Sequence, residues 1–315
     1  MLNISGLKLP MIGAHLVGGT VYFVDSSNAK SSSGNTGKHP DKAMSTIAQA
    51  EAKCTASKGD YIVALPGHAE SVTSTIVLNT AGITLLGIGN GTNRPNLTQA
   101  TTGNDNVMEI AADNITVENI LFTGSTTGTN ERFIDIQAID YCTIRGCRFV
   151  QNTKNLDAIS VAGPSVDYLI IEDCEFIGIA AGADNGILFE NITNSTSNLN
   201  PIIRRCHFNY TGSAGADDAC INVSHSSGAT VGMLIQDCTF LGVANGDAAV
   251  NQKGMAATRC TGLLDNLRVL AADATDAFVV SDLMGYINVY AVEAASRPAG
   301  AALGSGMAPL LTSAF

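Results

Sequence analysis

The sequence predicts an all-β chain wound as a solenoid, a coil of parallel strands, and three observations lead there. The first is a phrase that recurs. It reads Ile115-Thr-Val-Glu-Asn-Ile120-Leu-Phe122, Cys142-Thr-Ile-Arg-Gly-Cys147-Arg-Phe149 and Leu169-Ile-Ile-Glu-Asp-Cys174-Glu-Phe176. It returns as Pro201-Ile-Ile-Arg-Arg-Cys206-His-Phe208, as Met233-Leu-Ile-Gln-Asp-Cys238-Thr-Phe240, and in a worn copy, Met255-Ala-Ala-Thr-Arg-Cys260-Thr-Gly262. Counted from Ile120, the marked position recurs at steps of 27, 27, 32, 32 and 22 residues, a period that belongs to repeat architectures. The second observation is that each copy alternates apolar and polar residues, as a half-buried strand does, although Glu172 breaks the alternation in its copy. The third is that Gly, Asn, Asp, Ser and Thr clusters separate the copies. No stretch between them has the length and 3.6-residue period of a crossover helix. A chain that regains the same edge every 22 to 32 residues without helices must coil, with successive turns about 4.7–4.9 Å apart.

In such a coil equivalent residues stack. Cys147, Cys174, Cys206, Cys238 and Cys260 are expected to form one internal ladder and Phe122 through Phe240 another. Free thiols pack as small hydrophobes and suit a narrow dry interior. No Cys-x-x-Cys pair occurs, so a structural metal site is not expected. Neighbouring coils bring cysteines into bridging range, but side chains pointing in parallel fit the disulfide dihedral poorly, and no export signal is visible. Reduced thiols are the expectation.

The elements follow in order. Residues 1–19 have no clear period and are expected to be an N-terminal arm. Val21–Val24 reads as a strand leading into a polar loop. From Asp41 to about Lys58 the chain has the one convincing helical pattern, with Ile47, Ala50 and Cys54 on one face and Gly59 as terminator. A helix ahead of a solenoid is expected to cap it, since the first coil would otherwise show water an apolar interior and a free strand edge. The coil itself is expected over 20–290. Asp60–Gly67 opens the first full turn and Gly82–Gly87 the next. Asn106–Ile110, Phe133–Ile136, Ala158–Val161, Ile187–Phe189 and Cys220–Val223 are expected to give each later coil a second strand. Beyond Cys260 the pattern fades, with Phe278–Val280 and Tyr286–Val289 as further strands. Residues 291–315 form an Ala/Gly-rich tail, expected to dock on a partner or another copy.

Composition sets the bounds. With 45% hydrophobic and 14% charged residues among 315, the chain can fill one long core, and a repeat array counts as one domain. Its 32 glycines suit many tight turns. A formal net charge of −11 argues against nucleic acid as a partner, because nothing offsets phosphate repulsion. No run of about 20 apolar residues exists, so no membrane span is expected. The N-terminus lacks a basic start, an apolar run and a small-residue cleavage site, which predicts synthesis in a cytoplasm.

Val21-Tyr-Phe-Val-Asp25, Ser45-Thr-Ile-Ala48 and Gly59-Asp-Tyr-Ile-Val-Ala-Leu-Pro-Gly-His68 stand in an order that resembles the start of right-handed parallel β-helix proteins of the pectate-lyase-like superfamily. In particular the chain, over about Thr20 to Cys260, resembles virion structural proteins of tailed bacteriophages. The resemblance implies a right-handed, single-stranded parallel β-helix and, because viral members commonly trimerise, a homotrimer. The same coil hosts enzymes and inert scaffolds alike, so the task has to come from the residues.

Several residues invite a chemical reading. Asp217 and Asp218, in Gly215-Ala-Asp-Asp-Ala-Cys-Ile-Asn222, resemble the paired-aspartate turn of polygalacturonases, whose carboxylates act as general acid and activator of water. Those enzymes also carry an Asn-Thr-Asp motif, and the nearest match here is Asn155-Leu-Asp157, 60 residues ahead of Asp217. Their Gly-His-Gly and Arg-x-Lys motifs are missing; His225 stands in Ser-His-Ser. Aspartates capping their own backbone before a strand are ordinary turn chemistry, and that reading is preferred. A pectate-lyase site would need carboxylates for calcium beneath a basic residue. Arg145, Arg148, Arg204 and Arg205 are present, yet no acidic cluster aligns with them in the sequence. Gly87-Ile-Gly-Asn-Gly91 lacks the following helix that phosphate binding requires. His68 and Glu70 read as exposed turn residues rather than an acid/base pair, and His207 as an outward, solvated position.

The sequence thus predicts no catalytic, cofactor-binding or metal-ligating residues. It predicts a non-enzymatic phage virion protein, a capsid decoration or head-fibre subunit that docks on the major capsid or other virion proteins. The competing expectation is a tailspike-like carbohydrate-active β-helix, a lyase or hydrolase, or an adhesin for a host surface glycan.

Overall fold

The structure, a computed structural model, describes residues 2–4, 7–9, 19–100, 106–124, 132–151, 157–178, 185–190, 197–210, 219–224, 229–243, 248–251, 260–271, 278–279 and 284–293. Among these the chain winds as a parallel β-helix with three sheets of 11, 9 and 8 strands. One coil shows how. Thr143–Arg145 lies in the first sheet, Arg148–Gln151 in the second and Asp157–Val161 in the third, after which Ile170–Glu172 returns to the first sheet. Each strand pairs in parallel with its counterpart one coil away.

The recurring phrase therefore holds two strands, not one, and this is why its alternation breaks. Between the strands sits a residue in the left-handed backbone region: Asn119, Gly146, Asp173, Arg205, Asp237, Asn266 and Asn288, with φ between 49° and 60°. Asn, Asp and Gly tolerate this conformation best, and it turns the chain from the first sheet into the second. The corner amides are not lost. That of Gly146 donates to the Glu172 carbonyl at 3.0 Å and that of Asp237 to the Asp265 carbonyl at 3.0 Å, each one coil on. In the copy around Glu172, Ile171 points in, Glu172 and Asp173 lie toward solvent, and Cys174 and Phe176 point in again.

The core is built of columns. Phe122, Phe149, Phe176, Phe208 and Phe240 stack with centroid separations of 5.0, 5.0, 4.5 and 4.8 Å and are fully buried. Beside them Cys147, Cys174, Cys206 and Cys238 form the predicted thiol column, buried and unbridged. Each sulfur lies 3.2–3.5 Å from the carbonyl oxygen two residues before it. Burial pushes the Cys174 thiol well above its ordinary range, and the neighbouring Cys206 thiol does the same to Cys238.

One member of the predicted ladder is displaced. Cys260 is buried, but it lies in a first-sheet strand, Cys260–Asp265, opposite Thr230, and its sulfur meets Met284 at 3.9 Å. The true successor of Cys238 is Leu267, which follows the corner residue Asn266 and starts the turn into Arg268–Ala271. The steps at this end are thus 29 and then 22 residues, to Leu267 and Val289. The extra residues before Leu267 hid the register, because Arg259-Cys260 mimics Arg205-Cys206.

The capping helix is shorter than the predicted 41–58. A 3-10 turn spans Pro40–Lys42 and the α-helix only Ile47–Glu51. Met44 between them is held extended, its amide donating to Phe23 and its carbonyl accepting from Asp25, as an added partner of the first strand. A helix cannot start before that pairing ends. It starts at Thr46, whose side chain and Gln49 form a reciprocal capping box. Ile47 and Ala50 are fully buried against strands Val21–Val24, Tyr61–Ala64 and Ile76–Leu78. Glu51 fastens the other end, accepting from the Asn79 amide at 3.3 Å and the Thr80 hydroxyl at 2.6 Å.

At the N-terminus Leu2–Ile4 and Leu7–Leu9 pair antiparallel. At the far end Tyr290–Glu293 is the last strand of the second sheet, and 294–315, most of the predicted tail, lie outside the described residues. Among the described residues no helix is long and apolar enough to cross a membrane.

Candidate functional site

Asp217, Asp218, Asn155 and His225 lie outside the described residues. Asp157 is described, and it belongs to a buried polar group that the sequence did not single out. Arg132 reaches three carboxylates from successive coils: Asp135 at 3.6 Å, Asp157 at 3.4 Å and Glu190 in direct contact. Asp135 stands on the outward side of the third-sheet strand Ile134–Ile136 yet is only 6% exposed. Its Oδ2 accepts from Asn106 at 3.1 Å and Gln137 at 2.8 Å, while its Oδ1 has no hydrogen-bond partner. Asn185 donates to Asp157 at 2.8 Å from one coil on. The available signal was the parity of the third-sheet strands, in which Asp135 interrupts two isoleucines and Asp157 opens an apolar run.

Burial raises the Asp135 carboxyl above the ordinary carboxylate range, against the pull of Arg132 and its two amide donors. A raised pKa in the folded state means that its proton favours folding. That contribution is fully present below the unfolded pKa and is lost as pH rises through the folded one. Asp135→Asn keeps an acceptor for Asn106 and Gln137 and removes the buried charge. The variant is expected to melt above the native chain at pH 7, with the gap closing as pH falls through the carboxylate range. A lower melting temperature at pH 7 would show that Arg132 needs this third carboxylate.

The four arginines turn out to have acidic partners after all. Glu118, Arg145, Glu172, Arg204, Gln236 and Asp265 occupy one register position up the first sheet. Arg145 meets Glu118 at 2.6 Å, Arg204 meets Glu172 at 2.6 Å, and Gln236 donates to Asp265 at 2.8 Å. Arg205 adds contacts to Glu172 at 2.9 Å and Asp173 at 2.7 Å, and Arg148 meets Glu175 at 3.1 Å. The Arg205 hydrogen bond holds the Asp173 carboxyl below its usual range, and Glu118 raises Arg145. In sequence these partners are 27 to 33 residues apart, so only the coil register reveals them. Calcium would find Glu118, Glu172, Asp173 and Glu175 already neutralised by guanidinium groups.

His68 and Glu70 do not lie in an exposed turn. His68 is fully buried and Glu70 half-buried. The Ser26 amide donates to His68 Nδ1 at 3.0 Å, which leaves the proton on Nε2, 3.3 Å from Glu70 Oε2. That same oxygen accepts the Ile47 amide at 3.0 Å. The chain from Ser26 to the start of the capping helix explains the burial, and it ties structure rather than exposing an acid/base pair. His207 stands between Glu175 and Thr239 on the outer side of the second sheet, half-buried. Gly87–Gly91 is a corner: the Asn119 side chain donates to the Gly87 and Gly89 carbonyls at 2.8 and 2.9 Å, and a Cβ on Gly87 would collide with the Asn119 backbone.

No known protein family matches the chain, and no curated protein does. Solved structures resemble it at low identity. ORF18 of Geobacillus virus E2 is 14% identical, covering 78% of this chain and 57% of that one, with a TM-score of 0.40. Pectate lyase Pel9A is 12% identical, covering 84% and 78%, with a TM-score of 0.42. The Dettilon tailspike protein gp208 is 12% identical, covering 89% and 62%, with a TM-score of 0.34. The chain spans a little over half the length of the Geobacillus virus protein and somewhat under two thirds of the tailspike.

Proposed function

We propose that the chain is a non-enzymatic structural protein of a bacteriophage particle, a capsid decoration or head-fibre subunit that docks on the major capsid or another virion protein as a homo-oligomer. The observation that supports this most is the outer face of the first sheet. Its charged residues run acid, base, acid, base over four coils, from Glu118 to Arg204, and are consumed in pairs. Such a column ties successive coils together and holds Glu118 and Glu172 against arginines. The resemblance of residues 20–260 to virion β-helix proteins supplies the setting.

A second reading, a β-helix that cleaves or binds glycan, is favoured by one observation. Asp135, Asp157 and Glu190 gather round Arg132, and one of the carboxyls is held above its ordinary range. Paired carboxylates of unequal acidity are what glycoside hydrolysis needs. Incubation with bacterial capsule polysaccharides separates the two. The structural reading expects no new reducing ends and no unsaturated products, and it expects the protein to co-sediment with virus particles in a fixed copy number. Turnover that Asp157→Asn or Asp217→Asn abolishes would overturn it.

A further inference from the structure

The corner at which the chain enters the first sheet carries an exposed aromatic pair. Tyr141 and Tyr168 are stacked at 4.9 Å with planes 3° apart, and they are 55% and 43% exposed. Both have φ of 57°, a backbone that bulky side chains rarely adopt. The same corner is filled by Asn114 in the coil before and by Asn200 and Gly232 in the coils after, the residues that the conformation favours. The two tyrosines therefore sit where the backbone alone would select against them, and about half of each residue's surface is open to solvent.

Immediately before this corner runs a ladder of carboxylates, Asp113, Asp140 and Asp167, one to a coil. Asp113 accepts the Asp140 amide at 2.9 Å and Asp167 the Leu199 amide at 2.9 Å, each through a single oxygen. Among the described residues no lysine or arginine forms an ion pair with any of the three, in contrast to the outer face of the first sheet. Coils are about 4.7–4.9 Å apart, so carboxylates and rings form one compact patch.

We propose that this patch docks an arginine-bearing surface of another protein, guanidinium groups lying against the tyrosines and pairing with the adjacent carboxylates. Guanidinium is the cation that can do both, stacking on an aromatic ring and bridging a carboxylate through paired N–H donors. Tyrosine and arginine are also the residues that dominate interface energetics. A second copy meeting it through the same patch is a poor occupant, because it brings the same carboxylates against these. The inference does not depend on the virion reading, since it concerns only the chemistry of whatever docks here.

Calorimetric titration of the full chain with an oligoarginine peptide tests it. Saturable binding is expected, weakened about tenfold in the Tyr141→Asn/Tyr168→Asn double variant and again in Asp140→Asn/Asp167→Asn. Asp41→Asn, an exposed charge elsewhere, is expected to leave it unchanged. Because asparagine already occupies this corner at 114 and 200, the double tyrosine variant is expected to melt no lower than the native chain. No saturable binding, or binding that the variants do not weaken, would overturn the proposal. So would a fall in melting temperature with binding intact, which would assign the pair to packing. Titration with maltoheptaose completes the test: binding that needs the tyrosines, where oligoarginine does not, would make the patch a sugar platform instead.

Discussion

Replacing Phe176 by alanine is expected to lower the unfolding free energy by about 3–5 kcal/mol, the range for deleting a fully buried phenyl ring. The ring lies between Phe149 at 5.0 Å and Phe208 at 4.5 Å, nearly parallel to both, so the deletion opens a gap inside a continuous column. Collapse cannot close that gap cheaply. The rings above and below are fixed by strands paired in register, and moving either would break a parallel ladder. Leucine should cost much less, because aliphatic side chains already fit this column at its ends. Leu97 pairs with Phe122 and Val269 with Phe240. Urea unfolding of the three proteins at equal ionic strength checks the order. A loss below about 1.5 kcal/mol for alanine would show that the column relaxes, and that the stacked rings do not set the stability of the coil. In a solenoid each coil contacts only its neighbours, so the coupling of Phe176 to Phe208 should exceed its coupling to Phe240.

The phenylalanine and cysteine columns were legible because both positions have one identity across several coils and point the same way. What was not legible followed from corners and insertions. The eight-residue phrase looked like one strand, since a single left-handed residue is invisible to a period-two pattern. Glu172, polar where the alternation wanted an apolar residue, marked the break, and Glu118, Arg145, Arg204 and Gln236 stand at the same position of the other copies. Cys260 was misplaced because its neighbours imitate the earlier copies while the real position, Leu267, lies seven residues further on. The ion-pair column and the Arg132 cluster were hidden for a different reason. Their members are a full coil apart in sequence, and coil length varies, so pairing cannot be assigned until register is known. The predicted capping helix begins too early, since Met44 lies within its span and suits a helix by propensity. Its backbone is recruited by Phe23 and Asp25, and tertiary pairing overrides the local preference.

His68 was read as solvent-exposed from the Pro66-Gly67 turn before it, and its burial leads to a second large effect. His68→Leu is expected to cost about 2–4 kcal/mol, because a leucine of similar bulk leaves two polar partners stranded. The Ser26 amide loses its acceptor, and Glu70 Oε2, half-buried and already committed to Ile47, loses its imidazole donor. The damage should travel to the helix Ile47–Glu51, since Glu70 is positioned by His68 and in turn holds the helix's first amide. Hydrogen exchange of the Ile47–Glu51 amides and of the neighbouring Asn79 and Thr80 should therefore quicken more than exchange in the Phe176 coil. His68→Asn separates polarity from shape. Its Oδ1 can stand where Nδ1 stood and accept from Ser26, but it cannot reach Glu70. This variant should recover part of the lost stability while the helix amides stay labile. Equal protection in the native chain and His68→Leu would break the proposed chain from Ser26 through the imidazole to the cap. The first coil would then have to be sealed by the apolar contacts of Ile47 and Ala50 alone.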